Sequence, residues 1–247
     1  GHRRTYLLGK GLDSVMNYPL RDAILAYLNG GTAEHFAETM ETLRENYPRA
    51  VFYNLMNIIG THDTARALTI LGVSSAEWKM NRDERAHYTL PPERLDSAKR
   101  RLRLAAVIQF TMPGSPTIYY GDEAGRQGFE DPFNRRTYPW GAEDREILAF
   151  YRRLCEIHAD SDTLAHGELR FDTGENDALL RYERTTEHSR LVVLVNRSRQ
   201  EVKTNVNALY ALDLLTQREF DCEDSSGIEI TVPAETAYLL RCFGSAE

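Results

Sequence analysis

Asn57-Ile58-Ile59-Gly60-Thr61-His62-Asp63-Thr64-Ala65-Arg66 is the stretch whose reading decides the fold. It follows the apolar run Val51-Phe52-Tyr53-Asn54-Leu55-Met56 and ends in polar residues where the chain must leave a core. An apolar segment that stops at Gly60 and then presents Thr61, His62 and Asp63 reads as a buried strand delivering a carboxylate to a surface. In an α/β barrel the C-terminal strand ends are where the chemistry is built. His62 and Asp63 are neighbours, so one can meet a ligand while the other orients it. By itself a His-Asp pair is more often a loop hydrogen bond than a site, and it needs context.

The chain on either side supplies that context. Leu12 to Tyr18 is apolar enough for a short buried strand, which Pro19 ends. Leu20 to Leu28 reads as a helix closed by Gly30-Gly31. Thr32 then caps a second helix whose face is Phe36, Ala37, Met40, Leu43 and Tyr47. Pro48 stops it, and a strand over Val51 to Ile59 follows. Leu71 to Leu90 is charged and irregular and reads as a loop with one helical turn. Pro91-Pro92 opens a helix with an inner face of Leu95, Ala98, Leu102, Ala105, Ala106 and Gln109. Its Lys99-Arg100-Arg101-Arg103 run reads as a solvated outer face.

Met112-Pro113-Gly114 breaks that helix, and Pro116 to Tyr120 is predicted as the next strand. Asp144 to Ala159 is an amphipathic helix through Ile147, Leu148, Tyr151, Leu154, Cys155 and His158, the histidine being read as packed rather than ligating. To this point strands and helices alternate, the pattern of parallel βαβ units. Past Gly167 the texture changes to short β-rich runs: Ala178 to Arg184, Leu191 to Asn196, Gly227 to Val232 and Ala237 to Phe243. Runs of that kind separated by turn residues predict an antiparallel sandwich with a core of its own. The boundary is expected between Leu164 and Arg170, giving domains 1–166 and 167–247.

The 247 residues are 42% hydrophobic and 27% charged, ordinary values for a globular protein. A net charge of −7 argues against a nucleic-acid partner, which requires a basic face. Cys155, Cys222 and Cys242 have no Cys-x-x-Cys spacing and read as three unpaired, mostly buried thiols of a reducing compartment. No run is long enough to span a membrane and no signal peptide is visible, so a cytoplasmic location is expected. Gly1-His2 in place of an initiator Met suggests a sequence that begins within a longer protein.

Two further runs complete the pattern: Gly114-Ser115-Pro116-Thr117-Ile118-Tyr119-Tyr120-Gly121-Asp122-Glu123 and Asp131-Pro132-Phe133-Asn134-Arg135-Arg136-Thr137-Tyr138-Pro139-Trp140. With the opening stretch they resemble the last part of the α-amylase family of retaining glycosidases, glycoside hydrolase family 13. The second run is most similar to the neopullulanase, cyclomaltodextrinase and maltogenic amylase branch. Leu12-Asp13-Ser14-Val15-Met16-Asn17-Tyr18 is similar to the sixth barrel strand of that branch. The resemblance implies an α/β part plus an all-β part. The first is the C-terminal portion, about strands 6–8, of a (β/α)8 barrel, and the second an antiparallel β-sandwich. A complete barrel needs eight strand–helix units, and the residues before Gly167 supply three.

Retaining glycosidases use two carboxyl groups about 5 Å apart, one a nucleophile and one an acid/base. The resembled family adds a third, and the resemblance places that transition-state-stabilising role on Asp63. Its charge would also raise the acid's pKa. His62 carries over as a hydroxyl-binding partner at the same sugar. Asp131 and Arg135 match positions that contact a sugar further toward the non-reducing end, the alternative being an ion pair that only holds their loop. Asp122 and Glu123 are read as structural. No Gly-Phe-Arg-Leu-Asp-like stretch and no matching Glu strand end is found, so the nucleophile and the acid are expected outside this sequence.

The implied substrate is an α-glucan such as starch, pullulan or a cyclodextrin, cleaved at α-1,4 bonds, with α-1,6 as an alternative. No metal and no cofactor are expected in this chain. The expected partners are the N-terminal half of the barrel or a second copy of the chain, because a partial barrel leaves a strand edge and apolar helix faces uncovered. Two readings from other classes compete. One is a non-catalytic carbohydrate-binding or assembly module; the other is a metal-dependent phosphohydrolase with His62-Asp63 as ligands, for which His2, His35, His87, His158, His166 and His188 lack the spacing.

Overall fold

A computed structural model describes Leu7, residues 11–172, Gly174, and residues 176–222 and 226–245; Gly1-His2 lies outside them. The first half is organised on three short parallel segments. Met16 bridges Met56 in parallel, and β1 (Met56–Asn57) pairs in parallel with β2 (Ser115–Pro116). The amide of Asn17 donates to Met56 O (2.8 Å), Met56 to Val15 O (3.0 Å), Ser115 to Leu55 O (2.8 Å) and Thr117 to Asn57 O (2.8 Å). The predicted strands therefore occur in the expected order but are much shorter than Leu12–Tyr18, Val51–Ile59 and Pro116–Tyr120.

Two causes shorten them. Val51 and Phe52 amides turn back onto Pro48 O (2.9 and 3.0 Å), so the start of the predicted strand is a helical turn, Arg49–Phe52. Buried amide side chains then replace the ladder. Gln109 Nε2 donates to Asn57 O and Thr117 O (both 2.9 Å), and Asn57 Nδ2 to Pro113 O (3.1 Å). Asn17 Nδ2 donates to Asn57 Oδ1 (3.1 Å). Asn17, Asn57 and Gln109 are all buried, so these bonds satisfy polar groups that water cannot reach.

Helices wrap these segments. We number them α1 (Tyr18–Leu28), α2 (Ala33–Asn46), α3 (Arg49–Phe52), α4 (Ala67–Gly72), α5 (Arg82–His87), α6 (Pro92–Thr111), α7 (Arg145–Ala159) and α8 (Asp162–His166). Asn17 Oδ1 accepts from Leu20 N to cap α1, and Thr32 Oγ1 accepts from His35 N to cap α2. The segment Leu71–Leu90 holds more helix than expected, because Asn81 and Glu84 form a capping box that starts α5.

Helix α6 is central: every residue from Leu104 to Thr111 is buried, where one inner face was predicted. Its basic run is not a free solvated face. Lys99 pairs with Asp144 (2.6 Å), Arg100 with Glu235 (2.7 Å) and Arg103 with Glu146 (2.9 Å), while Arg101 donates to Leu71 O (2.5 Å). On α7, Ile147, Tyr151, Leu154 and Ile157 point inward, but Cys155 is exposed, contrary to expectation. Cys222 is half-buried and Cys242 buried; all three are free. His158 packs edge-on to Phe110 and bonds Phe110 O through Nδ1 (2.9 Å), as a structural histidine would.

Beyond Gly167 the chain forms β3 (Glu168–Phe171), β4 (Leu179–Thr185), β5 (Arg190–Asn196), β6 (Val202–Val206), β7 (Tyr210–Asp213), β8 (Glu219–Asp221), β9 (Ile228–Val232) and β10 (Thr236–Phe243). A six-stranded antiparallel sheet has the order β3-β4-β5-β10-β7-β8, and β6 pairs with β9 in a second sheet. The four predicted runs are β4, β5, β9 and β10. Strands β3, β6, β7 and β8 were missed because half their side chains are polar or exposed.

The large sheet is buried on both faces, and period-two alternation divides its side chains between two cores. Val192, Leu194, Tyr238 and Leu240 meet Val202, Val206, Ile230 and Val232 of the small sheet. Leu191, Val193, Val195, Leu239 and Tyr182 instead share a core with Phe36, Leu104, Val107 and Ile108 of the helices. The sheet region thus has an inner core of its own but does not stand apart from the helices, as had been expected. Tyr27 of α1 reinforces the junction, donating to Val195 O (2.7 Å) and accepting from Leu180 N (2.9 Å). Among the described residues, the exposed large hydrophobic side chains are Leu12, Tyr120, Trp140, Leu209 and Phe243, none of them on a helix.

Arg184 is a fully buried cation at this junction, and among the described residues no carboxylate pairs with it. It donates to Gly167 O (Nε 3.2 Å, Nη2 2.9 Å), Leu164 O (2.9 Å) and Thr111 O (2.7 Å), and burial pushes its pKa down to about 10. Truncating it strands the buried carbonyls of Thr111 and Leu164, each worth about 1–3 kcal/mol, leaves Gly167 O to the Tyr53 hydroxyl (3.0 Å), and opens a cavity. Arg184→Ala is expected to cost about 3–5 kcal/mol in urea unfolding; a loss below ~1 kcal/mol would show that the carbonyls find other donors.

Candidate active site

The site lies where the chain leaves the parallel segments. β1 runs into Ile58 and Ile59, both buried, and the chain then turns at Gly60. A Cβ on Gly60 would stand 2.0 Å from Asp122 Oδ2, so only glycine lets the backbone pass over that buried carboxylate. Thr61 is buried, and its Oγ1 accepts from the Asp63 amide (3.1 Å). His62 and Asp63 then emerge with side chains 53% and 56% exposed.

Both Asp63 carboxylate oxygens have a polar neighbour. The Tyr18 hydroxyl donates to Oδ2 (3.0 Å), and His62 Nε2 lies 3.0 Å from Oδ1. Tyr18 stands at the end of the first parallel segment and His62-Asp63 at the end of the second, so two strand ends converge on one carboxylate. The pair of residues predicted to act together is thus brought into contact, and Tyr18, which sequence reasoning did not single out, completes the group.

Asp131 and Arg135 are also in contact, their side chains 3.2 Å apart and both largely solvent-facing (60% and 47% exposed). The ion pair weighed in the sequence reading is formed. Its own contribution to stability is small, because exposed pairs of this kind are worth about 0–1 kcal/mol. The two pairs are joined by residues that the sequence did not mark. Asn134, between Asp131 and Arg135, is fully buried and donates through Nδ2 to His62 O (2.8 Å) and Thr64 O (2.7 Å). Arg66, also fully buried, donates from Nε to Asn134 O (2.8 Å) and from Nη1 to Tyr120 O (2.5 Å) and Asp122 Oδ1 (3.2 Å). Its guanidinium lies 4.2 Å from the Tyr119 ring centroid and 4.7 Å from that of Tyr120.

Asp122 is therefore part of the floor, in keeping with its structural reading. Burial pushes its carboxyl up to about 6, and Arg66 only partly opposes the shift. Its folded pKa exceeds the ordinary 3.8, so the folded state holds a proton that the unfolded chain releases. The stability this contributes is full below about pH 4 and is lost as pH rises through about 6. Measured against Asp122→Asn, the wild-type chain is expected to lose 2–3 kcal/mol, in order of magnitude, between pH 4 and 7. A flat difference across that range would show that Arg66 fully compensates the buried charge.

Among the described residues no group of three or more His, Cys, Asp or Glu side chains is arranged to hold a metal ion, and no helix is long and apolar enough to cross a membrane. What the site offers is a carboxylate that accepts from the Tyr18 hydroxyl and lies beside the His62 imidazole, and a second charged pair on a loop held by buried hydrogen bonds. These are polar groups suited to a ligand rich in hydroxyls.

The site is open and polar and lies where parallel segments end in an α/β fold with an attached β region. The family profile for "Alpha amylase, catalytic domain" matches residues 1–170, and the chain belongs to the α-amylase family. An amylopullulanase of Thermoanaerobacterium thermosulfurigenes is 31% identical over 267 residues, covering 95% of this chain and 14% of that protein. A cyclomaltodextrinase of Thermoanaerobacter pseudethanolicus is 31% identical over 242 residues, covering 96% and 37%. Neopullulanase 2 of Thermoactinomyces vulgaris is 31% identical over 202 residues, covering 79% and 30%.

Among solved structures, an Anoxybacillus α-amylase superposes with a TM-score of 0.80 at 21% identity, covering 100% of this chain and 50% of that one. A cyclomaltodextrinase superposes at 0.79 and 23%, covering 97% and 39%. The chain thus spans 14% to 37% of the length of these three relatives and half or less of these two structures.

Proposed function

We propose that the chain is the C-terminal part of a retaining α-glucan hydrolase, in which Asp63 serves as the transition-state-stabilising carboxylate. On this reading residues 1–166 are the portion of a (β/α)8 barrel around strands 6–8, and 167–247 are a β-sandwich domain. The observation that carries it is Asp63, open to solvent on the loop that follows β1, accepting from the Tyr18 hydroxyl and lying 3.0 Å from His62 Nε2. Membership of the α-amylase family supports the chemistry, and relatives named amylopullulanase, cyclomaltodextrinase and neopullulanase support α-1,4 and α-1,6 glucosidic bonds as targets.

On this reading Tyr18 orients the Asp63 carboxylate, with the His62 imidazole beside it, while more than half of the side chain is left to accept bonds from sugar hydroxyls. Such bonds strengthen as the ring flattens toward the oxocarbenium-like transition state. The nucleophile and the acid/base are supplied by residues outside this sequence. His62 contacts the same sugar, and Asp131 with Arg135 contacts one further toward the non-reducing end. The test is Asp63→Asn in the complete enzyme, whose retained turnover would exclude the reading.

A further inference from the structure

We infer that Asn134 is a positioning residue for Asp63, fixing from the opposite loop the backbone that carries the carboxylate. The inference rests on the reading of Asp63 given above. Among the described residues the Asp63 carboxylate accepts from the Tyr18 hydroxyl and has the His62 imidazole beside it, both near solvent, and neither holds the main chain. The main chain is held from behind. Asn134 Nδ2 donates to the carbonyl just before Asp63, His62 O (2.8 Å), and to the one just after it, Thr64 O (2.7 Å), with a longer contact of 3.5 Å to Thr61 O. With these carbonyls gathered at Nδ2 the amide has one favourable orientation, since a flipped side chain would aim Oδ1 at them.

Asn134 is itself immobilised. It is 0% exposed and sits in the 3-10 turn Phe133–Arg135. Its own carbonyl accepts from Arg66 Nε (2.8 Å), and the Arg66 amide donates back to Gly128 O (2.9 Å). The same short turn presents Asp131 and Arg135 outward and Asn134 inward, so the two charged pairs of the site are built on one hydrogen-bonded unit. A carboxylate that acts in the transition state has to be held to a fraction of an ångström, and that precision comes from such backing groups.

The test is a double-mutant cycle in the full-length enzyme: Asn134→Ala, Asp63→Asn and the double substitution, assayed for kcat and KM on an aryl α-maltotrioside. Each is assayed well below its own unfolding midpoint. Asn134→Ala is expected to lower kcat 10- to 100-fold with less than a threefold change in KM. Once Asp63 is Asn, removing the Asn134 side chain should change kcat less than threefold. Equal losses in the two backgrounds would overturn the inference and leave Asn134 as a structural residue only. Near-normal turnover of Asp63→Asn would instead overturn the reading of Asp63 itself. Should Asn134→Ala not fold, Asn134→Asp carries the test, since it keeps the shape and can donate only when protonated. Its kcat relative to wild type should then fall as pH rises through the carboxyl's titration, and an unchanged ratio across pH would refute the assignment.

Discussion

Asp63→Asn in the complete enzyme is expected to cut turnover by about 10²–10⁴ while KM changes little. The substitution keeps the shape of a side chain that is more than half exposed, so loss of folding is not the expected cause. What it removes is the negative charge at a position open to ligand. An interaction realised mainly in the transition state shows in kcat, and one made equally with the ground state shows in KM. Steady-state kinetics on a soluble glucan separates the two. A mutant with near-normal kcat would mean that Asp63 is a loop residue.

A larger effect is expected for the chain by itself: it should release no reducing sugar from starch, pullulan or cyclodextrins. Retention at the anomeric carbon requires a nucleophile and a positioned acid flanking the bond. The sequence offers Asp63 for a third role but no Gly-Phe-Arg-Leu-Asp-like stretch for the first. Binding contacts without those groups lower no covalent barrier. The measurement is sugar release by the purified chain, with its mass and oligomeric state determined on the same sample. Steady turnover by a sample free of any longer species would reveal catalytic carboxylates among the residues here assigned to structure.

Much of the architecture could be read from residue patterns, because those patterns report burial. The helices from Ala33, Pro92 and Arg145 follow apolar spacing and their caps closely. Strands β5 and β10 were visible because a strand buried on both faces is nearly continuous in apolar residues. The parallel strands were overestimated because an apolar run cannot say where side-chain amides take over the ladder, as Gln109 and Asn57 do.

In the site, the exposed residues His62, Asp63, Asp131 and Arg135 were found through motifs. Tyr18, Arg66 and Asn134 lay inside the same quoted motifs but carried no signal of their own. Their roles consist of contacts such as Arg66 to Asn134 O and Asn134 to His62 O, made between loops far apart in the chain. Spacing within one segment holds no record of such pairings.

The division of the large sheet between two cores bears on how this chain can be dissected. Gly167 marks a change of secondary structure without being a seam. A cut there would leave Leu191, Val193, Val195, Leu239 and Tyr182 facing water on one product and Val107 and Ile108 facing water on the other. It would also separate Arg184 from Thr111 O and Leu164 O. Grafting this β region onto another helical layer, or trimming it away, is thus a problem in core redesign. The helix that would have to be rebuilt is α6, which through Gln109 also fixes the spacing of the segments beneath Asp63.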